Sequence, residues 1–172
     1  MPNLLTTLKT KGILVSDGGW GSFLVARGLK PGESPEGWNL DHPDEVRDIA
    51  RMYAGAGADI VLTNSFGGTR FKLEHYGLAD RVGEINQAAA ALSREAVGPD
   101  KIVLASMGPT GKILMMGDVS EAELYDAFAE QADARARQAR GVADERRQLV
   151  DLVEGMAFLQ RARVARPTTV EV

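Results

Sequence analysis

Cysteine is missing altogether from this 172-residue chain. Its absence excludes disulfides, thiolate nucleophiles and thiolate zinc ligands within these residues. Histidine is nearly as scarce: His42 and His75 are the only two, and neither has a partner at ligand spacing, which argues against a histidine metal site or histidine acid–base chemistry. No apolar run approaches the roughly 20 residues of a membrane span, and residues 1–11 carry no apolar export core. There is no surplus of positive charge either: a net charge of −4 and a pI near 5.3 speak against a nucleic-acid or anionic-membrane surface. These absences leave a cytoplasmic protein as the expectation.

What is present suits a globular domain: 44% of the residues are apolar and 26% charged, and the length allows a real core. The most informative stretch is Ile13-Leu-Val-Ser-Asp-Gly-Gly-Trp-Gly-Ser22. An apolar run that ends on a carboxylate and then on three glycines within four residues reads as a buried strand stopping at a site. Residues 13–15 are then expected in a sheet covered on both faces, with Asp17 at the carboxyl end, where parallel α/β folds build ligand sites. Gly18, Gly19 and Gly21 permit positive φ and place no Cβ between the backbone and a bound molecule. A tight strand-to-helix turn with a capping aspartate accounts for the same residues without a ligand.

Further along, residues 23–26 start a short helix that Gly28 stops, and residues 30–37, with two prolines and two glycines, form a loop anchored by Trp38 and Leu40. Pro43, Asp44 and Glu45 open a helix whose apolar face is Val46, Ile49, Ala50 and Tyr53, and His42 before it reads as a helix-entry residue. A second strand is expected over residues 60–63, ending on Asn64, Ser65, Gly67 and Gly68. Residues 70–76 read as a short helix closed by Gly77. Asp80 is placed as the cap of a longer one that buries Val82, Ile85, Ala89, Leu92 and Ala96 until Gly98-Pro99 breaks it. A third strand over residues 102–105 leads into Ser106-Met-Gly-Pro-Thr-Gly-Lys112. Ser120 and Glu123 then make a capping box for a helix with Leu124 and Phe128 toward the core.

Strands separated by helices imply a parallel sheet, and its β-to-α turns all fall on one rim. From about Asp133 the composition changes. Residues 133–172 hold eight arginines and no lysine, against six of each in residues 1–132. Leu149, Leu152, Val153, Met156 and Leu159 recur at helical spacing there, so an amphipathic helical tail is expected, and its six interspersed acidic residues argue against nucleic acid. Two phosphate motifs fail on spacing. A dinucleotide fingerprint from Gly19 and Gly21 needs a glycine where Leu24 stands. A phosphate loop at Gly111-Lys112 needs a glycine at Ser106 and a hydroxyl residue at Ile113.

Several blocks in order, Asp17-Gly-Gly-Trp-Gly-Ser22, Arg27 to Pro43, Gly57-Ala-Asp-Ile-Val-Leu-Thr-Asn-Ser-Phe-Gly-Gly68, Glu84-Ile-Asn-Gln-Ala-Ala89 and Gly108-Pro-Thr-Gly-Lys112, resemble the homocysteine-binding domain of the homocysteine S-methyltransferase family. The likeness is to the methionine-synthase-like and betaine-homocysteine-methyltransferase-like members and runs from about Gly12 to Gln131. It implies a (β/α)8 TIM barrel in which three cysteines hold a zinc that binds the homocysteine thiolate, and a methyl donor such as a methylcorrinoid or a methylated onium compound. It further implies that Asp17 holds the amino acid's ammonium group, that Gly18 and Gly19 make close backbone contact, and that Thr63, Asn64, Gly108, Pro109 and Thr110 line the same mouth.

The expected fold is therefore α/β: about the first three β/α units of an incomplete TIM barrel over residues 1–131, followed by a divergent helical tail over residues 132–172. The zinc cysteines of the family are absent, and so is its fourth strand with a ligand-contacting glutamate; Glu154 lies on an expected helix and does not take that role. The change of character near Gln131 is expected to mark a truncated product, a reading-frame slip or a divergent segment. The resemblance implies a methionine-forming S-methyltransferase, inactive or nearly so by itself. The alternatives are a non-catalytic amino-acid- or thiol-binding module and an inactive fragment. A homo-oligomer or a complementing chain is expected to cover the exposed sheet edges.

Overall fold

The structure, a computed structural model, describes residues 4–136. Seven α-helices and two strands follow in the order α1 (Leu4–Lys11), α2 (Trp20–Ala26), α3 (Trp38–Asp41), α4 (Pro43–Gly55), β1 (Ile60–Leu62), α5 (Arg70–Leu73), α6 (Val82–Val97), β2 (Ile102–Leu104) and α7 (Glu121–Ala136). It is a mixed α/β arrangement in which helices dominate. β1 and β2 pair in parallel, Ile60 beside Ile102 and Leu62 beside Leu104. The amphipathic Val46, Ile49 and Ala50 face of α4 and the Val82, Ile85, Ala89 and Leu92 face of α6 are buried as their spacing requires. Both helices cover one face of the sheet, where Val61 packs among Ala50, Ala58, Ala96 and Val97.

The expected first strand is the main departure. Residues 13–17 run beside β1, yet only Ser16 forms a bridge, to Ile60, and Ile13 and Val15 are 78% and 57% exposed. Two carboxylates explain the incomplete ladder. The Val15 N–H donates to Asp59 Oδ2 (3.1 Å) and the Leu62 N–H to Asp17 Oδ2 (2.8 Å), so side chains accept bonds that backbone carbonyls accept in a regular pair. Strand alternation puts Val15 on the same face as Val61, but among the described residues no helix covers that edge of the sheet. None of Gly18, Gly19 and Gly21 uses positive φ.

Smaller differences have local causes. α2 begins at Trp20 rather than residue 23, and Trp38 and Leu40, expected to anchor the loop over residues 30–37, lie in the short helix α3 that follows it. His42 joins α3 to α4, with its ring 4.3 Å from that of Trp38. The strand expected over residues 60–63 stops at Leu62. Asp80 sits inside a single 3-10 turn, Ala79–Arg81, and makes no side-chain cap to α6. Ala96 and Phe128 are half-buried. Beyond Ala136 the arginine-rich stretch, with its apolar spacing from Leu149 to Leu159, lies outside the described residues.

The capping box forms as its spacing predicts: the Ser120 N–H donates to Glu123 Oε2 (2.8 Å) and the Glu123 N–H to Ser120 Oγ (3.2 Å). Ser120→Ala is expected to lower stability by about 1 kcal/mol, the usual worth of a helix N-cap. A urea titration measures it.

Candidate functional site

The turns after residues 13–17, β1 and β2 meet at one rim, joined by hydrogen bonds of their own. The Ser106 N–H donates to Thr63 Oγ1 (3.1 Å), Ser65 Oγ donates to the Ser106 carbonyl (2.9 Å), and the Gly108 N–H donates to the Phe66 carbonyl (2.8 Å). Asp17 ties the first turn to β1 through the Leu62 N–H. Its Oδ2 also accepts the Trp20 indole N–H at 2.9 Å, whereas Oδ1 accepts the Ser16 hydroxyl at 3.2 Å. Gly18 and Gly19 beside it are exposed.

The other residues expected at the mouth are placed differently. Asn64 is 4% exposed, and its amide is committed: Nδ2 donates to the Pro35 carbonyl (2.7 Å) and to Asn39 Oδ1 (3.0 Å), pinning the 30–37 loop to the end of β1. Thr63 and Thr110 are buried, the first bonded to Ser65 and Ser106 and the second accepting the Lys112 N–H (3.2 Å). Gly108 permits a close approach, since a Cβ there would lie 2.7 Å from the Phe66 ring. Pro109 is exposed. Thus Gly18, Gly19 and Pro109 are exposed, Asp17 is half-buried, and Thr63, Asn64, Gly108 and Thr110 are buried in the rim.

Glu36 is a buried carboxylate that the sequence concealed among turn residues. It is 6% exposed, and its Oε1 accepts the Gly67 N–H at 2.7 Å. Burial pushes its carboxyl above the ordinary range, against the opposing pull of the Gly67 N–H and the Lys72 charge. The folded protein therefore holds this proton more tightly than the unfolded chain. Its contribution to stability is full below the ordinary carboxylate range and is lost as pH rises through the elevated value. Glu36→Gln keeps an acceptor for Gly67 and is expected to remove that pH dependence, leaving a protein at least as stable as wild type at pH 7. Melting curves recorded between about pH 4 and pH 7 read the difference.

A surface depression lies elsewhere, between α5 and α7, lined by Phe71, Asp126 and the Arg70–Glu130 pair. Arg70 already spends two donors on Glu130, both at 2.9 Å. Zinc does not fit these residues. The sequence has no thiolate to offer, and no group of three His, Asp or Glu side chains able to hold a metal occurs among the described residues. No helix among them is long and apolar enough to cross a membrane.

Against known proteins, the chain is 36% identical over 144 residues to methionine synthase of Mycobacterium tuberculosis, covering 76% of this chain and 12% of that enzyme. It is 30% identical over 136 residues to betaine–homocysteine S-methyltransferase 1 of Xenopus tropicalis, of which it spans 33%. The crystal structure of the homocysteine methyltransferase MmuM from Escherichia coli in its oxidized form superposes with a TM-score of 0.65 at 25% identity, covering 80% of this chain and 54% of that one. Its metallated form gives 0.67 at 22% identity, a likeness of fold. The chain thus spans about half or less of the length of each protein it matches. The sequence profile described as homocysteine S-methyltransferase aligns with residues 14–167, continuing past Gln131 into the arginine-rich stretch. That match, over most of the chain, makes this protein a member of the homocysteine S-methyltransferase family.

Proposed function

We propose that these residues are the first part of an incomplete (β/α)8 barrel that receives a homocysteine-like amino acid at its rim, with Asp17 taking the ammonium group. The observation that carries this reading is the carboxylate itself, held through Oδ2 by two donors while Oδ1, among the described residues, meets only the neighbouring Ser16 hydroxyl beside the exposed Gly18 and Gly19. An ammonium group donating to that oxygen makes a charge-assisted bond. Thr63, Asn64, Gly108, Pro109 and Thr110 shape the wall.

Methyl transfer to the homocysteine thiol is the activity this reading assigns to the assembled protein, with a methylcorrinoid-type donor and in the cytoplasm. The 172 residues have no cysteine, so a complementing chain brings the thiolate zinc ligands and covers the edge where Ile13 and Val15 are exposed. A cysteine-free sequence equally favours a second reading, recognition of the amino acid without chemistry. Calorimetric titration of the full chain with L-homocysteine under reducing conditions tests both: one saturable site is expected, and no heat at millimolar ligand rejects both readings. Methionine formation on adding a cysteine-bearing family fragment with zinc and a methyl donor then selects the first.

A further inference from the structure

Two aromatic side chains from different elements converge on the turn that carries Asp17. Trp20, the first residue of α2, donates its indole N–H to Asp17 Oδ2 at 2.9 Å. Tyr53, in the last turn of α4, donates its hydroxyl to the Gly19 carbonyl at 2.9 Å. The Tyr53 ring lies 6.4 Å from that of Trp20 and meets Phe23 edge to face at 5.5 Å. Gly18 lies against the tyrosine so closely that a Cβ there would stand 3.3 Å from the hydroxyl oxygen. One side chain of α4 therefore supports both the backbone of the glycine turn and the indole that orients the carboxylate.

An unrestrained carboxylate turns readily about its terminal torsion, and holding it in one orientation before a ligand arrives lowers the ordering cost of binding. Here the indole and the Leu62 N–H occupy one oxygen and leave the other toward Ser16. We propose that Tyr53 is a positioning residue: through Trp20 and the Gly18–Gly19 turn it latches Asp17 so that Oδ1 alone meets the ammonium of the bound amino acid. This rests on the assignment of Asp17 as the ammonium acceptor. The latch also selects among cations. A primary ammonium is satisfied by one oxygen, whereas a guanidinium, which pairs best with both oxygens of a carboxylate, is disfavoured.

Tyr53→Phe tests the latch because it keeps the ring against Trp20 and Phe23 and deletes only the hydroxyl. In the unliganded full chain, exchange of the Trp20 indole proton with solvent, followed by NMR, is expected to accelerate severalfold. The Trp38 indole, the chain's second, serves as an internal reference and keeps its rate. Homocysteine affinity is expected to fall roughly three- to tenfold, the usual effect of one hydrogen bond, with little change in melting temperature. Trp20→Phe is expected to weaken affinity to a similar degree. If wild type binds homocysteine and Tyr53→Phe leaves both indole exchange and affinity unchanged, the latch is overturned while the amino-acid site stands. If wild type does not bind homocysteine, the ammonium assignment falls and takes the positioning role with it, whatever the indole shows.

Discussion

On the proposed assignment of Asp17 as the ammonium acceptor, Asp17→Asn is expected to lower the homocysteine affinity about 10- to 100-fold while leaving the fold in place. The argument turns on what the two carboxylate oxygens do. Oδ2 accepts from the Trp20 indole and the Leu62 N–H, both fixed by their own elements, and an asparagine carbonyl in the same place still accepts both. What the amide cannot supply is a negative charge for the ligand's ammonium, and a hydrogen bond to a charged group is worth about 1.5–3 kcal/mol. Asp17→Ala goes further. It strips the acceptor from a part-buried backbone N–H, so a further loss of about 1–3 kcal/mol in stability should accompany the loss of binding. Calorimetry on both variants beside thermal melts separates the two effects. Affinity of Asp17→Asn within twofold of wild type would remove Asp17 from ligand recognition altogether.

That contrast between the two oxygens also marks how far the sequence can be read. Helices α4 and α6 were legible because their apolar spacing is a local signal, as are the Pro43 entry of α4 and the Ser120–Glu123 box, whereas the cap expected at Asp80 does not form. β1 and β2 announced themselves as short apolar runs before glycine-containing turns. Residues 13–15 look the same in sequence, but whether such a run is buried depends on what lies over it, and no local pattern carries that information. The burial of the Asn64 amide was illegible for a related reason. Its amide partners, Asn39 and the Pro35 carbonyl, lie 25 and 29 residues away in the chain. Tyr53 was legible as part of an apolar face, and the bond from its hydroxyl to Gly19 across 34 residues was not. Glu36 likewise looked like one more polar residue in a turn, although folding buries it against Gly67.

The largest effect on stability is expected from Gly68→Ala, for reasons that also lie in long-range packing. Gly68 sits between the amide groups of Asn86 on α6 and Gln131 on α7, both fully buried. A Cβ there would stand 2.5 Å from Asn86 Oδ1 and 2.6 Å from Gln131 Nε2, closer than atoms approach. Neither amide can retreat without loss. Asn86 Nδ2 donates to the Gly68 and Val82 carbonyls, each at 2.8 Å, and Gln131 Nε2 donates to the Ser65 carbonyl (2.8 Å) and to Asn86 Oδ1 (3.1 Å). The methyl group must therefore displace α7 or break bonds that water does not replace, and we expect a destabilisation of about 3–5 kcal/mol. Gly83→Ala, in the first turn of α6 with nothing among the described residues within 4 Å of the new Cβ, adds the same atom where helix propensity acts and should raise stability by about 0.5–1 kcal/mol. Denaturant midpoints for the two variants should therefore move in opposite directions. A Gly68→Ala midpoint close to wild type would mean that α7 does not dock through Gln131, and the buried amide network would lose its role in joining β1, α6 and α7.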